Sequence, residues 1–149
     1  MPDEAAEPGH PGYEMAVERG KIREFARATM SHNPEYLEDP IPVSPPTFLQ
    51  TSAFWAPHDA PPANGSGGMD LARVLHGGQE FVFFGPPPRA GATLRVSARL
   101  DKEYEKEGRR GGTMRFRETV TSFVDEHGRL VAESRATVIE TGRAPTEDA

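Results

Sequence analysis

The sequence predicts an α+β domain in which an antiparallel sheet follows a largely helical first half. Three observations support this prediction: apolar residues at helical spacing near the N-terminus, four strand-like segments in succession from residue 80 onward, and a hairpin turn at residues 125–128. Consecutive strands after a helical region are typical of α+β folds. The 149 residues also suit one domain, because about 100–200 residues usually form a single hydrophobic core.

Composition excludes several classes of function. The formal net charge of −6 opposes the electrostatic attraction that drives binding to nucleic acids. The absence of cysteine excludes disulfides, thiolate metal sites and a cysteine nucleophile. No apolar run reaches the length of about 20 residues that a transmembrane helix needs, and the acidic N-terminal residues differ from a signal peptide. We therefore expect a cytoplasmic protein with neither a nucleic-acid nor a membrane partner.

The two ends of the chain predict little folded structure. Residues 1–11 contain three prolines and almost no apolar side chain, and residues 144–149 are similarly polar. Such segments bury too little apolar surface to fold. We expect a disordered leader at 1–11, one domain at 12–143 and a disordered tail at 144–149.

A short strand and an amphipathic helix begin the domain. Tyr13, Met15 and Val17 alternate with other residues, as in a strand. From Gly20 to Met30 the spacing of apolar residues predicts a helix, which ends before Pro34 because a residue that precedes proline avoids the α region. The face of this helix that is predicted to be buried consists of Ile22, Phe25, Ala26, Thr29 and Met30.

Two loops flank a second, apolar helix. Residues 38–46 contain four prolines and predict irregular structure. Residues 47–55 are apolar apart from Gln50 and hydroxyl groups, and they are long enough for two or three turns of a buried helix. Residues 56–69, which include the sequences PP and GSGG, predict a loop.

Four antiparallel strands are predicted at 80–84, 93–100, 114–124 and 130–139. The last strand has small residues on its predicted inward face, which comprises Leu130, Ala132, Ser134, Ala136 and Val138. In the strand before it, one phase is predicted to face inward and comprises Met114, Phe116, Glu118 and Val120. A buried Glu118 needs a partner; the alternative is that an edge position or a bulge turns it outward.

Six sequence segments occur in an order that resembles a known family. They are GKIREFARAT (20–29), NPEY (33–36), PPTF (45–48), HGGQEFVFFGPPPRAG (76–91), YEKEG (104–108) and LVAESRATVIETGR (130–143). Together they resemble the N-terminal MaoC-like dehydratase domain of actinobacterial hydroxyacyl dehydratases and of heteromeric enoyl-CoA hydratases of steroid degradation. The resemblance spans about residues 12–143 and implies a hot-dog fold, in which a curled antiparallel sheet wraps a central helix.

The segment that carries catalysis in this family is altered here. Catalytic MaoC-like hydratases have a G-D-x-N-P-x-H loop, whose aspartate and histidine hold the reacting water and move its protons. Alignment of Asn33 and Pro34 with the N-P pair places Ser31 at the aspartate position and Tyr36 at the histidine position. Neither side chain acts as a base near neutral pH, since a serine hydroxyl is not ionised and the ordinary pKa of a tyrosine is about 10.

A second departure concerns the start of the central helix. Catalytic relatives have a histidine-glycine pair there, and a backbone N–H donates to the thioester carbonyl. The matching positions are Pro45 and Pro46, and proline has no N–H. The resemblance therefore implies a degenerate hot-dog subunit, which packs edge to edge against a catalytic MaoC-like partner and makes room for the acyl chain.

These departures lead to a hypothesis of a non-catalytic subunit, inactive alone, of a heteromeric (R)-specific enoyl-CoA hydratase or 3-hydroxyacyl dehydratase. Its expected substrates are fatty or sterol side-chain thioesters of coenzyme A or of an acyl carrier protein. A heterodimer or heterotetramer without a cofactor is expected. Two alternatives stay open: a hot-dog acyl-CoA thioesterase, which generally needs an acidic residue near the central helix, and a self-contained acyl-thioester binding module.

Candidate site residues follow from this hypothesis. Those expected at the substrate are Asn33, Thr47, Phe48, Phe54, Trp55, His76 and Gly77. His76 and His32 are alternative bases, although such histidines are more often satisfied structural residues. Arg109 and Arg110 are candidates for the phosphates of coenzyme A, against the simpler interpretation of a solvated hairpin. No metal site is expected, because the histidines lack metal-ligand spacing.

Overall fold

The computed structural model describes residues 11–109 and 112–142. Within them lie five strands: β1 (Tyr13–Ala16), β2 (Val74–Phe83), β3 (Thr93–Glu107), β4 (Thr113–Val124) and β5 (Leu130–Glu140). The α-helices are α1 (Arg19–Ala28) and α2 (Pro34–Leu37), and the 3₁₀ helix Phe48–Trp55 is here called the central helix. A one-turn helix spans Leu71–Arg73. The predicted leader and tail lie outside the described residues, apart from Pro11.

The five strands form one antiparallel sheet in the order β1-β3-β4-β5-β2. The turn between β4 and β5 is fixed by Asp125, whose carboxylate accepts from the backbone N–H groups of His127 and Arg129. Gly128 completes this turn with a φ of 75°, a conformation that glycine adopts without strain. A curled sheet packed on a central helix confirms the predicted α+β hot-dog fold.

The core lies between the helices and one face of the sheet, here called the inner face. Phe48 of the central helix is fully buried and makes an edge-to-face contact with Phe25 of α1, with 5.7 Å between ring centroids. The strands contribute Met15, Leu94, Val96, Phe123 and Ala132. Full burial of each large apolar side chain contributes about 1.5–3 kcal/mol. The apolar core therefore covers the end of the sheet that contains β1, the start of β3 and the end of β4.

Helix α1 is shorter than its apolar spacing predicts. It ends at Ala28, and Met30 adopts a φ of 56° and is 82% exposed. The N–H of Ser31 donates to the carbonyl of Ala26 at 2.8 Å, which is the bond that closes a helix through a left-handed residue. The prediction that Thr29 and Met30 lie on the buried face is therefore wrong, because the chain has already left the helix there.

Strand β2 is longer than predicted. It begins at Val74, six residues before the predicted start at Glu80. Gly77 and Gly78 weaken the local preference for a strand, but pairing with β5 extends the strand through an irregularity between His76 and Gly78. Long-range pairing therefore outweighs local propensity in this segment.

The inner face of β5 was predicted almost completely. Ala132, Ser134, Ala136 and Val138 are all buried, which confirms the prediction. Leu130 is 38% exposed instead, because the pairing of β4 with β5 shifts register at the end of β4. Four small or medium side chains thus line the middle of the inner face.

The predicted inner face of β4 is wrong, since its members Met114, Phe116, Glu118 and Val120 lie on the outer face. The register pairs Phe123 with Ala132 and Thr121 with Ser134, and directly opposed residues share a face. Phe123 is fully buried in the core, which identifies its phase as the inner one. This strand has apolar residues in both phases, so its periodicity does not distinguish the two faces.

Glu118 finds its partners on the outer face. Its carboxylate accepts from the hydroxyl of Tyr104 at 3.0 Å and lies 3.5 Å from Lys102 Nζ. The hydrogen bond to Glu118 raises the pKa of Tyr104, because it holds the phenol proton. The ring of Tyr104 also stacks on Phe116, with centroids 5.0 Å apart. Glu118 therefore points outward, as the alternative had it, but because its whole phase of β4 faces outward and not because of an edge position or a bulge in β4.

Residues 61–69, here called the cover segment, lie across the inner face of β4. Arg117 of β4 donates through Nη1 to the carbonyl oxygens of Gly65 at 3.1 Å and Gly67 at 2.7 Å. Gly65 has a φ of 82°, and a Cβ at this position would lie 2.5 Å from Cγ2 of Thr119. Glycine is thus required there both by the backbone and by the close approach to the sheet.

Candidate functional site

The loop between α1 and the central helix contains the two positions aligned with a catalytic pair. Ser31 is turned into the local backbone, where its Oγ accepts from the N–H of Asn33 at 3.3 Å. Asn33 begins α2, and its Oδ1 accepts from the N–H of Glu35 at 3.0 Å. Such a cap stabilises a helix start by about 1 kcal/mol. Both polar side chains therefore serve the turn, and His32 between them is exposed.

Tyr36 has a different structural role. It is half-buried, and it packs against the core cluster through α2. Helix α2 itself was missed in the sequence, although Asn33 as cap and Pro34 in the first turn are a recognisable start signal. The loop therefore has neither a carboxylate nor an imidazole at the two aligned positions, and the residues present hold its shape.

The start of the central helix has no N–H at Pro45 or Pro46. The carbonyl of Pro45 accepts from the N–H of Phe48 at 3.0 Å, which begins the helical turn. Thr47 lies at the cap position, is exposed and makes no side-chain cap hydrogen bond. This helix terminus therefore has fewer N–H donors to offer to a thioester carbonyl.

The three aromatic residues predicted at an acyl chain have different environments. Phe48 is fully buried in the core. Trp55, at the end of the central helix, is partly buried against the same core. Phe54 is 78% exposed, and Lys21 Nζ lies 5.3 Å from its ring centroid. Of the three, Phe54 presents the largest surface to a ligand or to another protein.

His76 and Gly77 lie on the edge strand β2. His76 is exposed and lies opposite Val138 of β5. A Cβ at Gly77 would lie 2.9 Å from Cδ1 of Ile139. Gly77 therefore allows the close packing of β2 on β5.

A small cavity of about 40 Å³ lies between the central helix, the cover segment and the inner face of the sheet. The helix contributes Leu49 and Ala53, the cover segment contributes Ala63, and β5 contributes Ala136. The polar residues around it are Gln50, Ser52, Asn64, Gln79, Thr121 and Ser134. Sequence analysis missed this site, and its one signal was the row of small residues on β5.

A charged cluster lies at the end of the sheet where β4 begins and β5 ends. The Glu140 carboxylate accepts from Arg115 Nη2 at 2.8 Å and from Arg73 Nη2 at 2.6 Å, and its side chain is buried. The hydrogen bond from Arg115 lowers the pKa of Glu140, because it stabilises the carboxylate. Arg73 Nη1 also donates to the carbonyl of Thr141 at 2.8 Å. This cluster ties β4 and β5 to the one-turn helix.

Arg109 is exposed in the turn that follows β3, and Arg110 lies outside the described residues. In the described part of the chain, no group of three or more His, Asp or Glu side chains is placed to hold a metal ion. None of the described helices is long and apolar enough to cross a membrane.

The fold of this chain is similar to that of MaoC-like dehydratases. The structure of the MaoC-like dehydratase from Phytophthora capsici has a TM-score of 0.70 and 22% sequence identity to this chain, and the match covers 94% of this chain and 48% of that one. The crystal structure of the C-terminally truncated HadBC (3R-hydroxyacyl-ACP dehydratase) complex from Mycobacterium tuberculosis has a TM-score of 0.67 at 24% identity, with 88% of this chain and 95% of that one covered.

The family is shown by sequence. The family described as "FAS1-like, dehydratase domain region" matches residues 8–134. A UPF0336 protein of Saccharopolyspora erythraea is 32% identical over 145 residues, which covers 92% of this chain and 87% of that protein. The chain belongs to the FAS1-like dehydratase-region family.

Proposed function

We propose that this chain is the non-catalytic subunit of a heteromeric (R)-specific enoyl-thioester hydratase or 3-hydroxyacyl dehydratase. Hydration needs an acid and a base within hydrogen-bond reach of one water. The two positions aligned with that pair hold Ser31, whose oxygen is engaged in a turn, and Tyr36, whose ring packs against the core. This observation supports a division of labour in which a MaoC-like partner subunit supplies the acid–base pair.

The two edges of the sheet favour one docking side for that partner. The ten residues of β2 include one charged side chain, Glu80. At the opposite edge, described pairing of β1 with β3 ends at Val96, and seven of the ten residues at 98–107 are charged. Charged edge strands resist further strand pairing. We therefore assign the β2 edge to the partner.

Exposed apolar side chains at both ends of β2 support the same assignment. Leu75 is 52% exposed, and Phe84, which directly follows the strand, is 55% exposed. Leu71, just before the strand, is 74% exposed. Large apolar side chains left exposed along one edge are typical of association sites. A partner that continues the sheet beyond β2 covers them, which gives a heterodimer, or a heterotetramer when two such pairs associate.

The cavity beside the central helix is the site that we assign to the acyl chain. Its lining includes Gln79 of β2, so the cavity reaches the edge assigned to the partner. An acyl group held in the partner's catalytic site extends across this edge towards Ser134 and Ala136. The volume of about 40 Å³ accommodates little more than one water or one methylene group. Fatty or sterol side-chain thioesters therefore require displacement of the cover segment.

Arg109 is the candidate for binding the other end of the substrate, which carries the coenzyme A phosphates. It is exposed at the turn between β3 and β4. Guanidinium groups bind phosphate through paired N–H donors. We assign Arg109, together with the neighbouring Arg110, to the phosphates of coenzyme A, and an acyl carrier protein is the alternative carrier.

The test is hydration of 2-hexenoyl-CoA by the purified chain alone and by the complex that a tagged chain recovers from its native host. Loss of the ultraviolet absorbance of the enoyl thioester reports the reaction. We expect no activity from the lone chain and clear activity from the complex, which should contain a subunit with the intact D-x-N-P-x-H loop. Full activity of the isolated chain would refute the proposal.

A matched pair of variants tests the docking edge. Leu75→Arg places a charge on the β2 edge, and Leu100→Arg does the same on β3, where Leu100 is similarly exposed at 49%. Central apolar contacts of an interface contribute at least about 2 kcal/mol, which corresponds to about thirtyfold in affinity. We expect Leu75→Arg to weaken the complex by that factor in a binding titration, and Leu100→Arg to leave it unchanged. The reverse order would place the partner on β3.

A further inference from the structure

The cavity beside the central helix is polar for a site that takes an acyl chain. Six of its eleven lining residues carry an amide or a hydroxyl, and they come from the central helix, the cover segment and three strands. Sites for small organic ligands are usually lined mainly by hydrophobic and aromatic side chains, with few polar groups that fix orientation. The lining chemistry therefore carries information about the ligand.

The hydroxyl groups of this lining are buried and concentrated at the sheet. Thr121 and Ser134 lie directly opposite each other on β4 and β5, and they are 6% and 8% exposed. Ser52 of the central helix, 6% exposed, lines the same cavity. Gln79 Nε2 donates to Ser134 Oγ at 2.6 Å, which links this group to the edge strand. The inner face thus presents several neighbouring polar groups, of which Gln79 and Ser134 are joined by a hydrogen bond.

A plain alkyl chain suits this lining poorly. It would remove water from the hydroxyl and amide groups of the lining and return no hydrogen bond, and polar groups left unpaired in a buried site are costly. An acyl chain with a hydroxyl or keto oxygen replaces the lost water contacts. Buried hydroxyls both donate and accept, so they suit either group.

We infer that the acyl group taken by this subunit carries a hydroxyl or keto oxygen, which is bound by Thr121 and Ser134 with Gln79 beside them. The inference rests on the proposed function and names the substrate class of the same cavity. The net free energy of one hydrogen bond corresponds to a difference of about two- to tenfold in affinity or rate between a ligand that forms it and one that does not. That factor is the preference expected for an oxygenated chain over an alkyl chain of equal length.

The experiment uses the complex recovered with the full chain. Its kcat/KM is measured for 2-hexenoyl-CoA and for the 5-hydroxy and 6-hydroxy derivatives of this substrate. The test variant combines Thr121→Val with Ser134→Ala. The control combines Thr137→Val with Ser122→Ala, which makes the same changes on the same two strands in the outward phase. Ratios between substrates cancel any loss of folded complex.

We expect the wild-type complex and the control to prefer a hydroxylated substrate by about two- to tenfold, and the test variant to lose that preference. Hydration without any preference, or a preference that survives in the test variant, would overturn this inference and leave the proposed function intact. No hydration of any substrate by the complex would overturn both. A preference lost equally in the control would also overturn the assignment to the inner face.

Discussion

Replacement of Arg117 by methionine is expected to release the cover segment while the fold persists. The guanidinium donates to the carbonyl oxygens of Gly65 and Gly67 at 3.1 and 2.7 Å, and it is also paired with Glu103. Hydrogen bonds to charged groups contribute about 1.5–3 kcal/mol each, and an ion pair that is partly exposed adds less than about 1 kcal/mol. Methionine retains the apolar stem. We expect the free energy of unfolding to fall by about 2–4 kcal/mol, since contributions of one side chain are not additive.

Urea denaturation followed by the fluorescence of Trp55, the single tryptophan, measures this loss. The same loss lowers Tm by roughly 4–16 °C. Hydrogen exchange of the amides at 61–69 reports whether the segment opens locally. Arg99→Met is the matched control, because Arg99 pairs with Asp101 on the outer face, and its loss should stay below about 1 kcal/mol. Equal losses in both variants, with unchanged exchange at 61–69, would refute a holding role for Arg117.

Two further predictions concern the cover segment and the charged cluster. Gly65→Ala places a methyl group 2.5 Å from Thr119 Cγ2, whereas Gly68→Ala meets no atom within 4 Å, although both glycines have positive φ. We expect Gly65→Ala to be less stable by at least about 1 kcal/mol in thermal denaturation, and equal stabilities would contradict the contact with the sheet. The pKa of Glu140 is lowered by its hydrogen bond from Arg115, so the carboxylate stabilises the fold above its unfolded-state pKa, and this contribution disappears as the pH falls through the folded-state pKa. Glu140→Gln should lower Tm near neutral pH, and Tm of this variant should fall less than that of the wild type as the pH is lowered. An equal dependence of Tm on pH in the two proteins, between about pH 3 and 7, would argue against this role.

The elements of the fold could be predicted where a local pattern decides the structure. The inner face of β5 follows from strict alternation between Ala132 and Val138, and α1 follows from the spacing of Ile22 and Ala26. Both patterns have one apolar phase. The hot-dog fold followed from the order of these elements together with the family resemblance.

Pairing partners decide the structure where the local pattern is ambiguous. Strand β4 has Phe116 in one phase and Phe123 in the other, and the register with β5 directs Phe123 into the core. The aromatic stack of Phe116 with Tyr104 then occupies the outer face. No local property of β4 contains this information, because the residues opposite Phe116 and Phe123, Tyr104 and Ala132, lie on the neighbouring strands.

In the candidate site, too, local sequence predicts some residues and only the fold brings the others together. Ser31 and Tyr36 could be located from the sequence, because a short contiguous motif aligns them. The cavity could not, since its lining joins Asn64, Gln79 and Ser134, which lie far apart in the chain. The docking of the cover segment depends in turn on Arg117, whose role as a donor to backbone carbonyls has no signature in sequence.

The charge carried by the far half of β3 has a consequence for the size of any assembly. A protomer with two receptive strands at opposite sides grows by head-to-tail addition into a ribbon of indefinite length, which is the route to fibres. The seven charged residues at 98–107 make one of these sides unreceptive to a further strand. Under the proposed docking at β2, growth by strand addition stops after a single step, so the charge at 98–107 would limit the stoichiometry as much as the β2 edge does.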